Sequence, residues 1–162
     1  MIRLLVLLAA ALATFASGRI VQARGQWVAL ADQGQCRAMA RSLRDAAKGQ
    51  PQAYAAFLFD PARGQNGLLS VRLSRPVRPG GSVLLTVGDR PFMLKGGGAF
   101  AWSRGPAQEA AIIAALRSAG GMRVEARDSA GRRSIDRYLL DGAPTAIDAA
   151  AANCLRRRPA TP

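Results

Sequence analysis

The sequence predicts a mainly β, α+β fold: an antiparallel β-sandwich or rolled sheet, with two helices in the C-terminal half. Three observations predict it. Leu68 to Ser74 and Met122 to Arg127 alternate apolar and polar residues with period two. The apolar segments between residues 26 and 102 are short, and Gly, Pro, Asn or Asp punctuates them at close intervals. Two later stretches, after Pro106 and after Thr145, carry helical spacing with matching start and stop residues. The chain has 162 residues, is 49% hydrophobic and has a mean hydropathy of +0.04, which suits one domain with a buried core.

The elements follow in order. Gln26 to Leu30, carrying Trp27, is a first strand, and Cys36 to Arg41 a second. The polar stretch up to Gln52 is a loop, and Ala53 to Asp60 is a third strand. Asp60-Pro61 ends that strand, and Asn66-Gly67 signals a turn. In Leu68 to Ser74, Leu69, Val71 and Leu73 face inward, while Ser70, Arg72 and Ser74 face outward. Ser82 to Val87 and Arg90 to Leu94 form a hairpin across Gly88-Asp89. Gly96-Gly97-Gly98 turns the chain into Ala99 to Trp102. These glycines lack the Gly-Lys-Ser/Thr ending of a phosphate-binding loop.

Pro106 suits a first helical position, with Glu109 in the first turn and Gly120-Gly121 as the stop. Ile112, Ile113 and Leu116 share one face of that helix. Met122, Val124 and Ala126 of the next strand point inward; Arg123, Glu125 and Arg127 point outward. Ser134 to Leu140 is the last strand, after a turn at Ser129-Ala130-Gly131. Thr145, with Asp148 three residues on, reads as the cap of a final helix that sets Ile147, Ala150, Ala151 and Cys154 on one face.

The ends read as non-domain segments. A basic start, Met1-Ile2-Arg3, precedes thirteen uncharged, mostly apolar residues from Leu4 to Ala16. That run is short of the roughly 20 residues a bilayer span needs, and it fits the apolar core of a secretory signal. Cleavage is expected after Ala23, which makes 1–23 the signal and leaves 24–155 as the domain, with Ala16-Ser17-Gly18 as the other candidate site; an uncleaved anchor is the alternative. Residues 156–162, with Arg156-Arg157-Arg158 and two prolines, read as a disordered basic tail. No span remains in the mature chain, and the expected location is the periplasm, the medium or the cell surface. In such an oxidising compartment, two cysteines suggest a Cys36–Cys154 disulfide. Its loop of more than a hundred residues is worth about 4–5 kcal/mol in the chain-entropy treatment. Two separate buried thiols are the alternative.

Composition excludes several chemistries. There is no His, so Ser-His-Asp and Cys-His catalysis and His-containing zinc sites are out. Two distant cysteines cannot supply a four-thiolate site. No cofactor or metal is expected. The chain carries 23 Lys+Arg against 10 Asp+Glu, a net +13, and all but Lys48 and Lys95 of those bases are Arg. Arg72, Arg75, Arg78, Arg90, Arg123, Arg127, Arg132, Arg133 and Arg137 concentrate in the strand-rich half. Arg72, Arg123, Arg127 and Arg137 are the candidate anion-binding residues, since guanidinium forks grip phosphate and carboxylate bidentately. The bland alternative is compositional: an Arg-, Ala- and Gly-rich coding bias with scattered surface charge. Nucleic acid is not an expected partner, because the nine aromatics sit in strand patterns and make no stacking platform.

The second half resembles the invasion-associated locus B family of exported proteobacterial proteins. The resemblance runs through LLSVRLSRP (Leu68 to Pro76), SVLLTVGDRPFML (Ser82 to Leu94) and GGGAFAW (Gly96 to Trp102). It continues through AAIIAALRSAGGMRVEAR (Ala110 to Arg127) and YLLDGAPTAIDAAAANC (Tyr138 to Cys154). Trp27 fits the family's early Trp, although Val28-Ala29-Leu30 stands where the family tends to place a Cys. The resemblance implies a β-rich envelope or surface domain with an envelope or host-contact role and no known chemistry. The expected function is therefore non-enzymatic. An Arg-bearing sheet face would meet anionic envelope lipids, glycans, or a host or envelope protein. A structural or assembly partner in the periplasm is a second reading, and a hydrolase using paired Asp carboxylates a third.

Overall fold

A computed structural model of the protein describes residues 18–156. The apolar run of the expected signal and residues 157–162 lie outside the described residues. Ten strands form one antiparallel sheet: β1 (Arg19–Arg24), β2 (Trp27–Asp32), β3 (Gln35–Arg41), β4 (Tyr54–Asp60), β5 (Gln65–Arg72), β6 (Val83–Val87), β7 (Arg90–Gly97), β8 (Phe100–Trp102), β9 (Gly121–Arg127) and β10 (Arg133–Leu139). Their spatial order is β1-β2-β3-β4-β5-β8-β7-β6-β9-β10. Two helices, α1 (Pro106–Leu116) and α2 (Ala143–Arg156), complete the mainly β fold expected from the alternation.

The sheet rolls rather than splitting into a sandwich of separate sheets. β7 pairs with β6 through Leu94 and with β8 from Lys95 onward, so it joins the two halves. Gly96 sits at that junction, where an added Cβ would lie 2.8 Å from Val83 Cγ2. The far edge then folds back across the strand ends of the first half. Leu43 N donates to Arg137 O at 2.8 Å, Trp27 Nε1 to Leu139 O at 2.9 Å, and Ser74 N to Asp136 Oδ2 at 2.9 Å.

The core lies inside this roll. Trp27, Phe57, Leu69, Val71, Val83, Leu85, Ile112, Leu116, Val124 and Ile147 are all buried in one cluster. The inward positions of β2 and β3 are mostly alanine (Ala29, Ala31, Ala38, Ala40), and α2 packs on β1 to β4 there. Small side chains on both surfaces allow close approach. The Cys36–Cys154 disulfide clamps α2 to β3, with an S–S length of 2.10 Å and Cα atoms 5.8 Å apart. α1 covers β5, β6 and β7. No helix among the described residues is long and apolar enough to cross a membrane.

Four local expectations are corrected. The first strand is β1, not the Trp27 segment, and it pairs with β2 from Arg19↔Ala31 to Arg24↔Trp27. A domain boundary at 23/24 would cut that hairpin. Asn66-Gly67 is not a turn but the bulge of β5, because the reversal is made upstream by a 3₁₀ turn, Pro61–Arg63, capped by Asp60 and ended by left-handed Gly64. Gly67 (φ 106°) is the extra residue there, and a Cβ on it would come within 2.8 Å of Ile113 Cδ1. The glycine run is half strand: β7 extends through Gly97, and only Gly98-Ala99 turns. Finally, Thr145 does not cap α2. The helix starts two residues earlier, with Pro144 in its first turn, and ends at Arg156, inside the segment read as tail. Gly142 (φ 84°) precedes it, where a Cβ would overlap the Arg24 carbonyl.

Candidate functional site

β9 and β10 form a two-stranded ribbon at one edge of the sheet. Its alternation dictates its two faces. Met122, Val124 and Ala126 face the core opposite Tyr138, Asp136 and Ser134. The outward face pairs Arg123 with Arg137, Glu125 with Ile135, and Arg127 with Arg133. Directly opposed side chains on one face have Cβ atoms about 4.5–5.5 Å apart, so each Arg pair is a close like-charge pair. The two pairs are four residues apart along β9, about 13 Å at strand rise.

The connection between the strands sets this register. Asp128 Oδ1 accepts from Ala130 N at 3.0 Å and Arg132 N at 2.9 Å, and Oδ2 from Arg132 Nε at 2.8 Å. Asp128 N donates to Arg132 O at 3.0 Å. Asp128 is buried, which by itself would push its carboxyl up; the hydrogen bonds and charge of Arg132, with Ala130 N, outweigh this and hold it below the usual range.

Glu125 is the one carboxylate on the outward face of the ribbon. It accepts from Arg133, through Nε at 3.1 Å and through Nη2, and from Arg123 Nε at 2.7 Å. These bonds, Arg133's first, hold its carboxyl below the ordinary value. One carboxylate thus serves two guanidiniums, one from each pair. Arg127 Nη1 donates to Gly131 O at 2.9 Å, and Arg137 has no carboxylate partner among the described residues.

Two concavities lie along the ribbon, one at each arginine pair. A cleft of about 440 Å³ is lined by Arg78, Ser82, Glu125, Arg127 and Arg133. Arg78 is held there by its backbone N, which donates to Arg127 O at 3.0 Å. A shallower groove of about 230 Å³ is lined by Leu43, Thr86, Arg123, Arg137 and Leu139, among others.

No family model, curated protein or solved structure matches the chain.

Three of the four candidate residues, Arg123, Arg127 and Arg137, therefore share the ribbon face. Arg72 does not join them. It lies on β5, with β8, β7 and β6 between it and β9. Its guanidinium stacks over Phe100, 5.3 Å from the ring centroid, which is a local packing role. Alternation alone could not place Arg72, because strand order is not written in the period. Arg133 and Arg78 join the site only through the register of β10 and the backbone bond from residue 78. Leu43, from the loop after β3, carries no sequence signal at all.

Several carboxylates outside the ribbon occupy structural positions. Asp60 caps the 3₁₀ turn and accepts from Gln35 Nε2 at 2.9 Å. Asp148 makes a two-pronged ion pair with Arg117, at 2.7 and 3.1 Å. Glu109 is buried and accepts from the Ser103 hydroxyl at 3.0 Å. No group of three or more His, Cys, Asp or Glu that could hold a metal ion occurs among the described residues.

Proposed function

We propose that this protein is an exported, non-enzymatic component of the cell envelope that binds an anionic ligand through the outward face of the β9–β10 ribbon. One observation carries the reading: Arg123↔Arg137 and Arg127↔Arg133 are held opposite one another with a single carboxylate between them. Like charges in directly opposed sheet positions cost stability, and a bound phosphate or carboxylate relieves that cost. Ligands with the right chemistry are anionic envelope lipids, acidic glycans, or an acidic surface on a host or envelope protein. The resemblance to the invasion-associated locus B family is consistent with that placement.

Export by the N-terminal signal is part of the proposal. The pairing of β1 favours cleavage after Gly18 over cleavage after Ala23, since the latter removes five of the six β1 residues. The processed chain then begins at Arg19. Its intact mass after export tests this; a chain beginning at Arg24 would refute it.

A salt series tests the binding. Binding of the exported protein to outer-membrane vesicles should fall steeply as salt rises. Arg127→Glu with Arg133→Glu should weaken it by about an order of magnitude or more. Vesicle binding that ignores both salt and these changes would overturn the reading.

A second reading, as an assembly partner, rests on the outward face at the other end of the sheet. Register places Leu30, Leu58 and Leu68 in one outward row with Ile20 and Arg37, and the three leucines are only partly buried. Cross-linking in the envelope, with and without Leu58→Asp, distinguishes a protein partner on this face from the ribbon.

A further inference from the structure

Among the described residues, four large apolar side chains are strongly exposed: Ile20, Leu43, Met93 and Leu139. Single exposed leucines are ordinary on protein surfaces. Leu43 and Leu139 are not single. They are 50% and 47% exposed, come from segments nearly a hundred residues apart, and line the same groove as Arg123 and Arg137. Both are fixed by backbone bonds. Leu43 N donates to Arg137 O at 2.8 Å, and Leu139 O accepts from the buried Trp27 indole at 2.9 Å. Exposed Arg41 and Arg44 flank Leu43 in sequence, with exposed Asp45 beyond them; no carboxylate lines the groove, and Glu125 engages Arg123 only through Nε.

The arrangement suits a membrane-surface contact: a small exposed apolar patch with two guanidiniums beside it. Side chains of this kind sit at the boundary of headgroups and acyl chains, with leucines below the phosphates and arginines level with them. We infer that Leu43 and Leu139 enter the interfacial layer of an anionic phospholipid bilayer while Arg123 and Arg137 hold its phosphates. This rests on the anion-binding reading above and narrows it: the anionic partner of this end of the ribbon is a lipid surface rather than a soluble anion. Two features favour the bilayer over a folded protein. The groove is shallow, and its polar rim is of one sign, which matches a surface whose charges are all negative.

The test is co-sedimentation of the exported protein with phosphatidylglycerol-containing vesicles and with pure phosphatidylcholine vesicles, beside titration with pyrophosphate in solution. The wild type should bind the phosphatidylglycerol vesicles and not the phosphatidylcholine ones. Each half-exposed leucine should contribute about fivefold, so Leu43→Ser with Leu139→Ser should weaken vesicle binding about 25-fold and leave pyrophosphate binding unchanged. Arg123→Gln with Arg137→Gln should weaken binding to both, by about fivefold per guanidinium at the vesicle. All four side chains are on the surface, and a single cooperative melting transition confirms that the variants fold. If the leucine variant binds vesicles like the wild type, or if the wild type binds pyrophosphate but no vesicle, the inference falls and the anion-binding reading stands. If the wild type binds neither, both fall.

Discussion

The two ends of this sheet are built on opposite terms. At the β1–β4 end, alanines on β2 and β3 meet alanines on α2 (Ala143, Ala146, Ala150), all buried, and a disulfide joins the surfaces. At the β9–β10 end the inward face carries Ser134, Asp136 and Tyr138, all buried, and neither Asp136 Oδ1 nor the Tyr138 hydroxyl has a hydrogen-bond partner. The outward face of that end holds four arginines in two opposed pairs. One end is close-packed and covalently stapled. The other carries unpaired polar groups inside and, outside, four arginines that share one carboxylate. The stapled end holds stability that the ribbon end forgoes, as binding surfaces commonly do.

The staple is the strongest way to break that contrast. Cys36→Ser with Cys154→Ser should cost about 4 kcal/mol, read by urea unfolding, because the bond closes 118 residues. A variant as stable as the wild type would show that α2 docks by packing alone. Next is the interior of the ribbon. Burial, then the neighbouring Asp136, pushes the Tyr138 hydroxyl far above its ordinary range, so it stays neutral and unpaired. Tyr138→Phe should raise stability by about 1 kcal/mol, since it removes a buried polar group that makes no bond. A loss of that size would mean the hydroxyl is satisfied in solution.

The outer face gives a smaller and more telling effect. Arg137→Glu converts an opposed like-charge pair into an opposite-charge pair. It should stabilise the protein by about 0.5 kcal/mol while weakening anion binding. Stability and binding moving in the same direction would contradict the trade proposed for this face. The smallest effect is the pH dependence of Glu125. Its folded carboxyl titrates below the ordinary 4.5, held down by Arg133 and then Arg123. The stabilisation from this group is therefore complete above that value and is lost as pH falls through the depressed folded value. Glu125→Gln should flatten that part of the acid-unfolding curve. It should also strengthen anion binding at neutral pH, because it releases two guanidiniums.

Much of this was legible in the chain. Period-two alternation assigned β5 and β9 and the inward set Leu69, Val71, Met122, Val124 and Ala126, which are all buried. Helical spacing points Cys154 inward, and the expectation of an oxidising compartment pairs it with Cys36, as the disulfide shows. The misread signals share a cause: local motifs compete with neighbours that the local window does not contain. Asn66-Gly67 is a good turn pair, but Asp60-Pro61 and Gly64 reverse the chain first, so the pair is left as a bulge under Ile113. Thr145 is a good cap, but Gly142 must pass against the Arg24 carbonyl, and the helix starts at once from there.

From the chain alone come most of the element types, the inward faces of β5 and β9, the charge, the absence of histidine chemistry and the cysteine pair; β1 does not. These depend on residue identity and spacing along the chain, to which backbone geometry responds directly. Tertiary structure alone decided which arginines stand together. It put Arg72 over Phe100 of the neighbouring strand β8, three strands short of β9, brought Arg78 and Arg133 to Arg127, and set Leu43 beside Leu139. Strand order, register and the roll of the sheet follow from the packing of the whole core, and no period in the sequence encodes them.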